Sequence, residues 1–232
     1  MRSPTDAGRR VALEIYETRG EGVLTQLDVY AIEQLTSLSS GSNVIVSKQI
    51  GSCTGQIFDR ERALNNSFNV TMENSGIQIR TFVQSAYDEC GTLLSELVEP
   101  DRAYHASAEQ RPQQQQPDPP TPTANRELIG EHSFLMVEGI SVHTRFRRQG
   151  IGGAMLAALQ RDALAIQPRL AFAVSWPCAS DVDLADMGFA AGARLPRPGL
   201  GQRRAEDFHR AVGFRALGMT RFWAKRLAVS RV

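Results

Sequence analysis

Apolar and polar positions alternate along this chain in two regimes. Residues 11–16 (VALEIY) are strand-like and predict a strand. Residues 28–37 carry Val29, Ile32 and Leu35 at helical spacing and predict a helix. Residues 43–47 and 53–58 flank Ile50-Gly51-Ser52 and predict a hairpin turning at the glycine. Residues 77–94 place Ile77, Ile79, Phe82, Val83 and Tyr87 at helix-like spacing, and 94–98 read as a short strand or a helix end. The second half is more regular. Residues 134–142 are an apolar strand expected to be buried on both faces. A helix is expected over 150–167, with Ile151, Met155, Ala158 or Leu159, and Leu164 on one face, ended by Gln167-Pro168. Residues 170–176 are the next strand, stopped by Pro177. A short helix at 181–190, a loop at 195–201, a helix at 205–212 capped by Gly213, and a terminal hairpin from 214–218 and 221–227 complete the reading.

One segment breaks both patterns. Residues 107–123 hold four consecutive glutamines and five prolines in seventeen positions, with no aliphatic side chain larger than alanine. Such a stretch cannot bury enough apolar area to offset its ordering entropy. A disordered Gln/Pro-rich insertion is expected over 106–125, inside one domain, because neither flank looks self-sufficient.

The 232 residues are 42% apolar and 22% charged, an ordinary globular balance. Net charge is +1, so no whole-molecule field favours nucleic acid or a membrane surface. The C-terminal segment is locally basic: Arg203, Arg204, Arg210, Arg215, Arg221, Lys225, Arg226 and Arg231 face only Glu206 and Asp207. That is either a solvated basic face or a patch that attracts a polyanion. Cys53, Cys90 and Cys178 form no CxxC pair, and His105, His132, His143 and His209 show no ligand spacing, so no metal site is expected. No apolar run reaches about 18 residues and the start lacks a signal-like core, which predicts no membrane span and a cytoplasmic or nuclear location.

The chemistry concentrates at Arg147-Arg148-Gln149-Gly150-Ile151-Gly152-Gly153-Ala154. A strand that ends in a glycine turn and feeds a helix presents unpaired N–H groups and the positive end of the helix dipole, a ready anion site. A Walker loop is excluded for want of Gly-Lys-Ser/Thr. A dinucleotide fingerprint is excluded because Met155 occupies the third glycine position and no acid follows a second strand.

This segment, from Ile140 through Leu156, resembles the acetyl-CoA-binding motif of the GNAT superfamily of N-acetyltransferases: a strand, a short loop, Gln/Arg-x-x-Gly-x-Gly/Ala, then a helix. About sixty residues on, Phe208-His209-Arg210-Ala211-Val212-Gly213-Phe214 is similar to the family's Phe-Tyr-x-x-x-Gly-Phe element. The resemblance implies an α/β fold, with a mixed, centrally splayed sheet of about six or seven strands flanked by helices. It implies one N-acetyltransferase-like domain over 1–232 with an acetyl-CoA-binding core at 133–227. It implies transfer of an acetyl group from acetyl-CoA to a primary amine by direct attack. In that scheme Arg148, Gln149, Gly150, Ile151, Gly152 and Gly153 bind the pyrophosphate, and Arg147 belongs to the same cofactor-binding set. Ile140 and Val142 pair with the pantetheine arm, and the Val142 N–H polarises the thioester carbonyl.

The chain also departs from the family. His209 replaces the tyrosine that often serves as general acid, Ser175-Trp176-Pro177-Cys178 stands where an asparagine is usual, and about thirty residues separate that point from Phe208. Glu138, the only acid in the 134–142 strand, is the candidate base; the alternative is a solvent-facing or arginine-paired carboxylate. His209 is the candidate acid; the alternative is a surface helix histidine. Phe208 and Phe214 are expected in the core, Trp176 in the core or a cleft wall, and Cys178 as a small buried residue. The alternative function is a CoA-binding, non-catalytic GNAT-like sensor or scaffold. A nucleic-acid role is not expected, and a homodimer is left open.

Overall fold

A computed structural model describes residues 9–19, 24–39, 42–65, 75–88, 133–178, 200–218 and 220–227. The expected insertion at 106–125, and the elements expected at 94–98 and 181–190, lie outside the described residues. Strands β1 (Arg9–Arg19), β2 (Leu24–Ser39), β3 (Ser42–Phe58), β4 (Phe134–Val142), β5 (Phe172–Ser175), β6 (Arg215–Ala216) and β7 (Trp223–Arg226) form one sheet in the order β1-β2-β3-β4-β5-β7-β6. Helices α1 (Arg60–Asn65), α2 (Ile77–Ala86), α3 (Ile151–Ile166) and α4 (Leu200–Ala211) accompany it. The sheet is mixed, because β4 and β5 run parallel while every other neighbouring pair is antiparallel. The α/β class with a seven-stranded mixed sheet flanked by helices therefore holds.

Alternation along β4 builds a core on each side. Leu135 and Val137 face α3, packing with Met155, Leu156, Leu159, Leu27, Val29 and Phe214. Phe134 and Met136 face α2, packing with Phe58, Phe82, Phe172 and Phe222. On that second side Phe134 lies 4.8 Å from Phe58, 5.1 Å from Phe82 and 5.7 Å from Phe172 between ring centroids. Burying each such ring contributes about 2–3 kcal/mol, so the aromatic cluster anchors the start of β4.

Two of the sequence expectations are corrected. Residues 28–37 are not a helix but the middle of β2. Leu27, Val29 and Ala31 are buried at period two, and then the register to β3 shifts between Ala31 and Ile32. The extra residue of that bulge is Ile50 of β3, and β2 itself alternates without a break against β1, so Val29 and Ile32 are buried on opposite faces; a strand buried on both faces there mimics a helical spacing. Residues 50–52 are not a turn either; β3 runs unbroken through them. Gly51 is there for close approach: a Cβ would lie 2.9 Å from the Ser141 carbonyl oxygen and 3.0 Å from Met155 Cε. The strands at β1, β4 and β5, the helix at α3 and the closing hairpin match the pattern read from sequence. Helix α2 runs only to Ala86, and α4 starts at Leu200, ahead of the expected 205.

Candidate functional site

β4 pairs with β5 only over Phe134–Val137 against Phe172–Ser175. Beyond Val137, among the described residues, β4 has a strand partner only in β3. Its register to β3 shifts there: Thr54 stands opposite Gly139 and Gly55 opposite Val137, so Glu138 is the extra residue of a bulge. After the bulge the backbone direction is set by His143, whose N–H donates to the Ile50 carbonyl at 2.8 Å. Alternation then turns the N–H groups of Val142 and Ile140 away from β3, toward the side that β5 has left. The Val142 carbonyl on that side accepts from Arg147 Nε at 2.9 Å.

The loop after β4 is held at several points. Phe146 is buried, the Arg145 guanidinium lies 4.6 Å over its ring, and Arg145 Nη2 donates to the buried Glu33 carboxylate at 3.2 Å. Gln149 Nε2 donates to the Arg145 carbonyl at 3.3 Å. Arg148 takes φ 65° and Gly150 φ 80°. A left-handed arginine costs about 1–2 kcal/mol, so the anchors must hold the turn against that strain. Helix α3 follows with its first backbone bond from Ala154 N–H to the Gly150 carbonyl at 3.0 Å. The N–H groups of Ile151, Gly152 and Gly153 precede that bond, no side chain caps them, and the first turn carries no acid. The positive end of the helix dipole is thus uncompensated, with Arg148 exposed beside it.

The other glycine-phenylalanine segment meets this one in space. A Cβ on Gly152 would lie 3.3 Å from Phe208 Cε2 and 3.6 Å from Val142 Cγ2, and one on Gly153 would lie 3.8 Å from Val212 Cγ1. So the edge of β4 that has no strand partner among the described residues, the start of α3 and the end of α4 form one junction. Gly213 closes α4 at φ 95°, with the Phe214 N–H donating back to the His209 carbonyl.

His209 is buried rather than on the surface. Its Nδ1–H donates to the Ala205 carbonyl at 2.7 Å, since a carbonyl can only accept. Nε2 therefore carries the lone pair and accepts from the Ser175 hydroxyl at 2.9 Å. Burial pushes the imidazole pKa below its ordinary value, and the Ala205 bond opposes this in part. The ring is neutral at physiological pH, with both nitrogens engaged. Ser175, opposite Val137 at the last rung between β4 and β5, is the partner that sequence reading missed. Its signal was a hydroxyl in an otherwise apolar run.

Glu138 lies on the opposite face of the sheet, toward α2. Its Oε1 would be 3.4 Å, and Gln56 Oε1 3.7 Å, from a Cβ placed on Gly76. Gln78 Nε2 donates to the Glu138 carbonyl at 3.0 Å, and Gln26 Nε2 to Asp28 Oδ1 at 3.1 Å. Burial raises the Glu138 pKa, Asp28's charge adds to this, and a hydrogen bond from Gln26 opposes it. The side-chain oxygens of Gln56 and Gln78 are buried without a hydrogen-bond partner. Two carboxylates and two unsatisfied amide oxygens make this cluster rich in acceptors. Its polar even positions Gln26, Asp28 and Gln56 come from two strands, and only the pairing of β2 with β3 brings them together.

Phe214 is fully buried, Phe208 half-buried, and Trp176 packs 5.9 Å from Phe222 with Arg221 4.7 Å over its ring. Cys178 is exposed, a correction to the expectation that it is buried: it follows Pro177, past the end of β5. Cys53 is the buried thiol, its pKa pushed up to about 12 by desolvation. Within the basic C-terminal segment Arg210 pairs with Asp207 at 2.8 Å and lies 5.4 Å over Trp223. Among the described residues no group of three or more His, Cys, Asp or Glu could hold a metal ion, and no helix is long and apolar enough to cross a membrane. In comparison with known proteins, the chain matches no family profile and no characterised protein by sequence.

Proposed function

We propose that this chain binds acetyl-CoA at the junction of β4, α3 and α4 and transfers its acetyl group to a primary amine, as an N-acetyltransferase of the acyl-CoA N-acyltransferase fold. The observation that carries this reading is the contact of Gly152 with Phe208 and Val142. Two motifs about sixty residues apart in sequence converge there, beside a strand edge that has no partner among the described residues.

The residues present suit that substrate. The free N–H groups of Ile151, Gly152 and Gly153, next to Arg148, Gln149 and Gly150, suit a pyrophosphate, and Gly152 gives it room that a side chain would fill. The outward N–H groups of Ile140 and Val142 suit the amides of an extended pantetheine arm. Arg147 holds the Val142 carbonyl at 2.9 Å, and the Val142 N–H, on the same outward side of β4, would serve the thioester oxygen. Bound there, acetyl-CoA supplies an activated acetyl thioester.

The chain's own groups then handle the amine and the protons. The cluster of Glu138, Asp28, Gln56 and Gln78 receives the amine from the α2 side, because its acceptors match an ammonium's donors. Glu138, with its raised pKa, takes the proton that frees the attacking lone pair. As the C–S bond breaks, the departing CoA thiolate takes a proton from the N–H of the collapsing tetrahedral intermediate, because the Ser175 hydroxyl proton is already given to His209 Nε2. Thiol release from acetyl-CoA across a panel of amines tests the reading. Amine-dependent release that is lost in Glu138→Gln supports it, and release at the uncatalysed rate with every amine refutes it.

One observation favours a second reading, a CoA-binding sensor or scaffold without turnover. Both His209 nitrogens are engaged by Ala205 and Ser175, so no imidazole N–H points toward the parting of β4 from β5. Saturable CoA binding with no thiol release would select this reading.

A further inference from the structure

Strand β1 is an edge strand of unusual character. It pairs with β2 along eleven residues without a register shift, and its other edge carries unpaired backbone groups among the described residues. It contains no proline and no lysine, two of the features by which natural edges resist pairing. Its apolar side chains are exposed: Val11 by 42%, Leu13 by 37%, Ile15 by 36% and Tyr16 by 53%. Val11, Leu13 and Ile15 stand opposite Glu33, Ala31 and Val29, which puts them on the α3 side of the sheet. Leu35 and Val46, opposite one another and also exposed, extend the apolar strip onto β2 and β3.

We propose that the occupant of this edge is β1 of a second copy, paired antiparallel about a two-fold axis through Leu13. The register follows from the side chains. With Leu13 on the axis, Leu13 meets the partner's Leu13, Val11 meets the partner's Ile15, and Ala12 meets the partner's Glu14. Arg10 then stands opposite the partner's Tyr16, whose hydroxyl donates to Glu14 within its own chain at 3.0 Å. The Arg10 guanidinium thereby reaches an aromatic ring and, diagonally, a carboxylate. A shift of one residue would set the apolar face against the polar one. A shift that puts Glu14 on the axis would oppose two like charges and set Val11 against Glu17. A shift that puts Ala12 on the axis would set Ile15 against position 9 and leave Tyr16 past the described strand. Only the Leu13 register keeps apolar against apolar along the described strand, with opposite charges adjacent. The seven-stranded sheet then continues across the axis into its copy.

Sedimentation equilibrium of the full chain reads the mass, expected at twice the 25.5 kDa of one chain. Leu13→Lys places two ammonium groups together on the axis and raises the dimer dissociation constant at least about tenfold. Arg10→Glu weakens the dimer and Arg10→Glu/Glu14→Arg restores it, a rescue that misfolding cannot imitate. Cysteine pairs read the register, in a chain with Cys90 and Cys178 changed to serine. Leu13→Cys alone crosslinks on oxidation, Val11→Cys alone does not, and Val11→Cys mixed with Ile15→Cys does. A monomer at about 100 μM, well above dissociation constants of stable dimers, overturns the proposal. So does a dimer indifferent to Leu13→Lys, or one in which Leu13→Cys fails to crosslink.

Discussion

Substituting Gly152 by aspartate separates the anion site from the fold that carries it. Gly152 is the second residue of α3, inside the helix turn that has no acid and no cap. A carboxylate there complements the helix dipole and stabilises the helix by about 0.3–1 kcal/mol, and replacing a helical glycine removes a further few tenths of backbone entropy cost. Against this, the new Cβ meets Phe208 Cε2 at 3.3 Å, so the ring edge of a half-buried side chain must give by a few tenths of an ångström. These effects oppose one another and are of similar size, so the melting temperature should stay within a few degrees of the parent's. Binding behaves otherwise. A carboxylate about 5 Å from one phosphate charge, at an effective dielectric near 20, repels it by about 3 kcal/mol. That is a loss of more than 100-fold in affinity. The assay is calorimetric titration with CoA beside a thermal melt. Parent-like affinity in a folded Gly152→Asp protein would refute the pyrophosphate assignment.

Three further outcomes are expected. Glu138→Gln should melt higher than the parent at pH 7 while losing about 10²–10⁴-fold in acetyl transfer: a carboxyl whose pKa is raised in the fold favours folding below its unfolded value and opposes it once ionised, and a lower melting point would contradict this. His209 has the opposite sign. Its pKa is lowered in the fold, so its contribution is complete above about 6.5 and is lost as pH falls toward the lowered value; urea titrations of His209→Gln between pH 7 and 5 should show a shallower acid loss than the parent, and equal slopes would remove His209 from the account. Gly55→Ala should cost about 2–3 kcal/mol and several degrees in melting temperature, because its Cβ would lie 2.9 Å from the Met136 carbonyl and 3.0 Å from Leu159; an unchanged melt would mean that β3 and α3 can part freely.

What the chain discloses by pattern alone follows from how local each cause is. β4, the glycine turn and α3 are legible because one apolar run, two glycines and one amphipathic stripe specify them within about thirty residues. The closing element around Phe208 and Gly213 is legible for the same reason. β2 is not, because it is buried on both faces at its middle, Val29 and Ala31 on one and Ile32 on the other, which blurs the two-residue period, and only its place between β1 and β3 causes that burial. Gly51 reads as a turn because a glycine set by approach to Ser141 and Met155 looks no different from a glycine set by φ. Glu138 is visible as the lone acid of an apolar strand, yet its neighbours Gln26, Asp28, Gln56 and Gln78 come from β2, β3 and α2. The Ser175–His209 pair spans thirty-four positions, and no local spacing announces it.

The central claim is that the junction of Val142, Gly152 and Phe208 is an acetyl-CoA site. Isothermal titration of the purified chain with acetyl-CoA tests it most directly, with a thermal melt to show that the protein is folded. Saturable one-site binding at micromolar concentration, weakened by Gly152→Asp, is the predicted result. An absence of binding heat in the folded chain, together with no shift of its melting temperature at saturating acetyl-CoA, would contradict the account.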